Sequence, residues 1–181
     1  MSTKYMLFDP DRCFGCNACV VACQQEYGLP AAIKFNRVDV KIDMAAPLHR
    51  EKITFQPLLC NQCDNAPCQK ICPVVAITRD AVSGVVLTDR AKCVGCRLCT
   101  TASGCPYGMR AIDGAGKSVK CNFCLDRITG TTPEVRTYCV KTCPTKARKM
   151  VEVQPSGTSM TSRGGAIPKV YYGNIPKGEE Q

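Results

Sequence analysis

Tryptophan is absent from the 181 residues, phenylalanine occurs five times and histidine once. Large aromatic side chains are the bulkiest core fillers, so a chain this poor in them must draw much of its cohesion from something other than a wide apolar core. No apolar run approaches the ~20 residues that a membrane-spanning helix requires, and direct membrane insertion is therefore not expected. The opening residues, MSTKYMLFDPDRC, hold neither a basic stretch leading into an apolar run nor a twin arginine. They set the expectation of a cytoplasmic protein, the alternative being export together with a signal-bearing partner. Cytosolic thiols stay reduced, which disfavours a disulfide framework. The acidic residues are scattered, with no paired carboxylates beside a nucleophile, and the single histidine, His49, stands in the polar stretch APLHREK. General acid–base chemistry has no equipment here, and no catalytic site is expected.

Cysteine is what the chain has in excess. Sixteen cysteines in 181 residues is the density at which a small protein is held together by cross-links or metal. They fall into four quartets with none left over. Group one is Cys13, Cys16, Cys19 and Cys23, group two is Cys60, Cys63, Cys68 and Cys72, group three is Cys93, Cys96, Cys99 and Cys105, and group four is Cys121, Cys124, Cys139 and Cys143. Groups two, three and four end in Cys-Pro, at Pro73, Pro106 and Pro144, whereas Gln24 follows group one.

A C-x2-C-x2-C run lets one loop curl round an iron-sulfur cubane, and the fourth cysteine of such a run serves a different cluster because it lies on the turn leading away. Gly15 and Gly95, each just before the second cysteine of a run, supply the backbone freedom that so tight a loop demands. The proline after a quartet ends the turn and redirects the chain. A zinc ribbon needs two C-x2-C pairs per metal and has no use for a third cysteine at the same spacing or for the trailing Cys-Pro. Buried free cysteines acting as small hydrophobes would not arrive in quartets. Spacing and count therefore point to iron-sulfur ligation.

The formal charge of +9 invites a nucleic-acid reading. Four [4Fe-4S] clusters, each carrying a formal charge of about −2 with its four thiolates, would remove about eight of those charges. The basic excess then compensates buried anions, and no stacking aromatics accompany the basic residues, so no nucleic-acid partner is expected. Lys92, Arg97, Lys120 and Arg127 stand near the cysteines as cations that could influence cluster potentials, although each reads first as a solvated counter-ion.

Between the quartets lie short strand-like stretches: KYMLFD before group one, RVDVKID at Arg37 to Asp43, KITFQPLL running into group two, and KMVEV at Lys149 to Val153. AITRDAVSGVVLTD reads as a hairpin with a turn from Asp80 to Gly84. ACVVACQQEY carries the main helical signal, so helices of one to three turns beginning beside the cysteines are expected. From Gln154 onward the chain is rich in Gly, Pro and Ser, which composition reads as a disordered tail. The rival reading is an extended arm pinned on a partner by Ile167, Val170, Tyr171, Tyr172 and Ile175.

The four quartets, their order, and CNQCDNAPCQKICP with its four-residue gap resemble the four-cluster, ferredoxin-like electron-transfer subunits of the dimethyl sulfoxide reductase type, over about Tyr5 to Val153. Such beta subunits accompany molybdenum or tungsten pterin oxidoreductases, tungsten aldehyde oxidoreductases among them. The resemblance implies an α+β fold of two pseudo-symmetric ferredoxin-like modules with short hairpins and helices around cubanes. The outer module would comprise residues 1–50 and 112–153, the inserted module residues 51–111, and the extended C-terminal arm residues 154–181. It also implies four [4Fe-4S] clusters: the first on Cys13, Cys16, Cys19 and Cys143, the second on Cys23, Cys121, Cys124 and Cys139. Cys60, Cys63, Cys68 and Cys105 would hold the third, and Cys72, Cys93, Cys96 and Cys99 the fourth. Some relatives replace the second cysteine of group three and bind a three-iron cluster; Cys96 occupies that position here.

One departure concerns Cys105, which follows Cys99 after five residues where a bacterial ferredoxin run has three. Serving a different cluster frees its spacing, and Thr100 to Gly104, all small, are expected to bulge or to pack between cofactors. The functional expectation is a one-electron relay joining a large catalytic subunit to another redox partner. The rivals are a self-associating connector whose copies form an electron wire, and an independent soluble polyferredoxin.

Overall fold

The computed structural model describes residues 5–43, 52–125, 137–151, 161–162 and 170–172. Among the described residues the complete helices are few and short. α1 (Ala18–Glu26) starts beside Cys16 and buries Cys19, Val20, Ala22 and Cys23. α2 (Pro67–Lys70) and α3 (Tyr138–Lys141) are single turns carrying Cys68 and Cys139. A 3-10 turn, Leu98–Thr100, carries Cys99. Short helices like these have little stability of their own and persist because tertiary packing holds them.

The described strands form one four-stranded sheet and three two-stranded ribbons. In the sheet, β1 (Tyr5–Phe8) runs antiparallel to β8 (Arg148–Val151), tying the first quartet's approach to the last quartet's exit. Met6, Leu7 and Phe8 are buried there. On its other side β1 pairs in parallel with β10 (Val170–Tyr172), which pairs in turn with β9 (Thr161–Ser162). Val170, Tyr171 and Tyr172 thus lie on the chain's own sheet, not on an arm held apart from it; Ile167 and Ile175 fall outside the described residues.

The ribbons are β2 (Arg37–Asp43) with β3 (Lys52–Leu58), β4 (Ile77–Arg79) with β5 (Val86–Thr88), and β6 (Ala111–Ile112) with β7 (Ser118–Val119). The last hairpin has no counterpart among the sequence expectations, because two-residue arms are too short for alternation to be read, although Asp113-Gly114 marks its turn. The expected module boundary between residues 111 and 112 falls within β6, and the one between residues 50 and 51 lies outside the described residues.

Two apolar clusters organise the interior. The larger gathers Met6, Phe8, Phe35, Leu59, Met109 and Phe123 with Cys19, Cys23, Cys121 and Cys139, and Cys60 and Cys105 pack against it. The smaller joins Ala66, Ile77 and Val86 to Cys68 and Cys99, with Cys72 alongside. Cysteine sulfur therefore occupies core positions that a protein of this size usually gives to large aromatics.

Candidate iron-sulfur centres

Each Cys-Pro pair opens the same turn. The amides of Val75, Gly108 and Lys146 donate to the carbonyls of Cys72, Cys105 and Cys143, at 3.3, 3.0 and 3.2 Å. All three residues take positive φ, at +52°, +61° and +51°. The turn reverses the chain and feeds β4, β6 and β8, which is the redirecting role expected of the proline. In the tight runs, Gly15 and Gly95 adopt φ of +77° and +73°, and a Cβ on Gly95 would stand 2.5 Å from the carbonyl oxygen of Gly116.

None of the sixteen cysteines forms a disulfide. Cys60, Cys63, Cys68 and Cys105 line one cavity of about 360 Å³ including its mouth, together with Gln62, Met109 and Arg110. Cys72, Cys93, Cys96 and Cys99 line a second of about 340 Å³, closed on one side by Ile77, Ile112 and Ser118. Cys13 stands within electrostatic reach of Cys16 and Cys143, and Cys19 of Cys13, Cys139 and Cys143. Cys23 is hydrogen-bonded to Cys139 and close to Cys121, which lies near Cys124, Cys139 and Cys60. Cysteines some 120 residues apart in sequence therefore meet. Among the described residues no three Cys, His, Asp or Glu side chains crowd tightly enough to share one metal ion. Sulfurs spread round a cavity suit a multi-atom group better than zinc, whose four ligands all lie ~2.3 Å from a single ion.

The linker from Cys99 to Cys105 bulges over part of its length and packs on neighbouring backbone at its end. Thr101, Ala102 and Ser103 are exposed and bulge into solvent, whereas Gly104 is buried. A Cβ on Gly104 would stand 2.4 Å from the Leu98 carbonyl oxygen and 2.6 Å from Cys99 Cα, so glycine there permits backbone to pack on backbone.

Comparison with known proteins places this geometry. Residues 51–153 match the 4Fe-4S dicluster domain, and residues 4–25 match a 4Fe-4S binding domain. This protein belongs to the 4Fe-4S dicluster family. It is 38% identical to the thiosulfate reductase electron transfer subunit PhsB of Salmonella typhi, over 83% of this sequence and 77% of that one. It is 34% identical to the B polypeptide of the Allochromatium vinosum sulfite dehydrogenase, over 97% and 81% of the two sequences. The B polypeptide of the Wolinella succinogenes polysulfide reductase is 32% identical, over 98% and 93%.

For a 4Fe-4S dicluster protein the surroundings of the thiols matter as much as their positions, because donors to sulfur favour thiolate and tune the cluster. The amide of Met109 donates to Cys105 Sγ at 3.3 Å and that of Ser118 to Cys93 Sγ at 3.5 Å. Asn36 Nδ2 donates to Cys23 Sγ at 3.3 Å and to the Cys19 carbonyl at 2.8 Å. Burial pushes the Cys19 and Cys63 thiols up to about 11 and drives Cys121 higher still. At Cys63 the desolvation is reinforced by the neighbouring thiols of Cys60, Cys68 and Cys105. At Cys93, burial raises the thiol, but the amides of Ser118 and Gly95 and the charges of Lys117 and Arg110 outweigh it and leave the group below its ordinary value. The contact between Cys23 and Cys139 raises the first thiol, with burial adding to the rise, and lowers the second against the pull of its burial.

Of the four cations named from the sequence, Lys92 and Arg97 are exposed and Arg127 lies outside the described residues, as does His49. Lys120 corrects the reading of a solvated lysine: it is buried, with its Nζ 2.9 Å from the Cys121 carbonyl oxygen and 3.3 Å from Gln62 Oε1. Arg110 and Arg148 are buried too and were not singled out from the sequence. Their signal was present as a repeat, since CPYGMR and CPTKAR both place an arginine five residues after the Cys-Pro cysteine.

Proposed function

We propose that the chain relays single electrons through four [4Fe-4S] clusters, between a molybdenum- or tungsten-pterin catalytic subunit and a second redox partner. The cluster ligands in this reading are Cys13, Cys16, Cys19 and Cys143; Cys23, Cys121, Cys124 and Cys139; Cys60, Cys63, Cys68 and Cys105; and Cys72, Cys93, Cys96 and Cys99. Each cluster supplies a centre that takes up and releases one electron. The chain's own residues hold the centres, keep water from the inner ones and leave the outer two within reach of partners. Two pseudo-symmetric modules, one built on groups one and four and one on groups two and three, are part of the same reading.

The observation that carries it is the order of the quartets in space. Cys19 neighbours Cys139, Cys121 neighbours Cys60, and Cys68 shares an apolar cluster with Cys99, contacts that support a linear order of the four proposed sets. Only Cys16 and Cys96 of the sixteen are exposed, and they belong to the two ends of that line. A relay needs this arrangement: accessible termini and a shielded interior. The catalytic partner is inferred from relatives named as parts of thiosulfate reductase, sulfite dehydrogenase and polysulfide reductase.

The test is chemical. Iron and acid-labile sulfide should each measure about sixteen atoms per chain in the anaerobically isolated complex. Zinc without sulfide would end the reading. Constant co-purification with a pterin-containing polypeptide is expected; an isolated chain that assembles into long polymers would favour the electron-wire connector instead.

A further inference from the structure

Three basic side chains are buried among the described residues: Arg148 at 3% exposure, and Arg110 and Lys120 at 7% each. None of them forms an ion pair with a carboxylate in the described structure. An unpaired buried cation is strongly unfavourable, so something anionic must offset each. Their positions identify what does.

Arg148 lies between the proposed first and second ligand sets, those of Cys19 and of Cys23 with Cys139. Its Nη1 donates to Asn36 Oδ1 at 2.9 Å, Asn36 in turn donates to Cys23 Sγ, and the guanidinium carbon sits 4.6 Å from the centre of the Phe8 ring. Its charge acts on Cys139, Cys19 and Cys23. Lys120 lies between the proposed second and third ligand sets, joining the Cys121 carbonyl to Gln62 in the Cys60–Cys63 loop. Arg110 lies between the third and fourth. It lines the cavity of Cys60, Cys63, Cys68 and Cys105, and its Nη1 donates to Ser118 Oγ at 2.8 Å, the atom that Cys99 Sγ reaches at 3.2 Å. Nη2 of Arg148, and Nε and Nη2 of Arg110, are buried without a protein acceptor.

We infer that Arg148, Lys120 and Arg110 are the counter-cations of the three gaps in the relay, each raising the reduction potential of the two centres it separates. This rests on the ligand sets proposed above. Every hop moves one electron and no proton: the donor centre is oxidised by one unit and the acceptor reduced by one, with no bond made or broken. A centre gains negative charge on reduction, and a fixed positive charge in a medium of low polarity stabilises that state most. The Cys-Pro turn explains the placement of the two arginines. It returns residue five of the motif beneath the quartet, and in group two the same place is taken by Ile77, buried in the smaller apolar cluster at the end of the line.

The experiment is an EPR-monitored redox titration of the holo complex, reduced stepwise with dithionite, comparing wild type with Arg148→Gln and Arg148→Lys. Arg148→Gln should shift two centres toward lower potential by about tenfold in the oxidised-to-reduced ratio, or about 59 mV, and leave the fourth centre in place. Arg148→Lys should retain most of the wild-type value. The shift should persist at high salt, unlike that of an exposed-charge control, Lys92→Gln, because a buried charge is poorly screened. Unchanged potentials with iron and sulfide intact would overturn the inference, as would equal shifts in the Gln and Lys variants. If Arg148→Gln fails to assemble, Arg110→Gln and Arg110→Lys carry the same comparison at the far gap. Failure of both the Gln and Lys variants at both sites would assign the arginines a purely structural role. Iron and sulfide content tests the ligand sets separately, so the two readings fail in distinguishable ways.

Discussion

Gln62 shows how one side chain can serve two quartets. It is fully buried at a positive φ of +51°; its Nε2 donates to the Cys121 carbonyl at 2.7 Å, and its Oε1 accepts from the Val86 amide at 2.9 Å and from Lys120. Gln62→Ala leaves a buried amide and a buried ammonium short of an acceptor. It should cost about 2–3 kcal/mol, measured by chemical denaturation of the reconstituted protein. Cys105→Ser should reduce iron and sulfide from about sixteen to about twelve each, if the late cysteine completes the set with Cys60, Cys63 and Cys68. Retention of all four clusters would break that set. The cysteines were legible in the sequence because ligation to a small, rigid cofactor restricts spacing within a few residues. Gln62 was not, and the two arginines showed only as a repeated position after Cys-Pro, since what distinguishes all three from surface residues of the same kind is burial, and burial depends on segments far away in sequence.

At the scale of elements, the recurring unit is the Cys-Pro turn with its third residue in the left-handed region. Gly108 accepts that conformation without strain, but Val75, a β-branched residue, occupies the equivalent place at φ +52° and is 63% exposed. With so little packing to lose, Val75→Gly should stabilise the protein by about 1 kcal/mol, seen as a rise in Tm of about 2–4 °C. A fall in Tm would mean that the valine side chain contributes more than its backbone costs. β1, β2, β3 and the β4–β5 hairpin could be read from alternation and turn residues, and α1 from its helical stretch. β10 escaped such reading because its three residues stand amid Gly and Pro, and their partners, β1 and β9, lie elsewhere in the chain. Deleting residues 154–181 would uncover that edge; the truncated protein should unfold at a lower denaturant concentration than the full chain.

For the whole molecule, the exposure of Cys16 and Cys96 predicts an order of loss. Brief oxidant treatment followed by alkylation and mass spectrometry should label Cys16 and Cys96 before Cys121 and Cys124, which are buried. Iron should fall to about half before the remainder is lost, as the two end centres go first. Equal early labelling of the buried pair would argue against a shielded interior. Net charge belongs to this scale as well: a formal +9 on the bare polypeptide drops to about +1 with four clusters in place, so the folded holoprotein should bind a cation exchanger far more weakly than the apoprotein.

By itself, the sequence determined the cofactor and the number of quartets, because the distances a cubane imposes on its nearest ligands are spanned by two or three residues, and that constraint is written directly in the spacing. Tertiary structure alone decided which quartets stand next to one another, which two cysteines face solvent and which three cations are enclosed among the described residues. Those relations join residues some 50 to 120 positions apart, and they meet only through the β1–β8 pairing, the hairpins and two apolar clusters that form cooperatively.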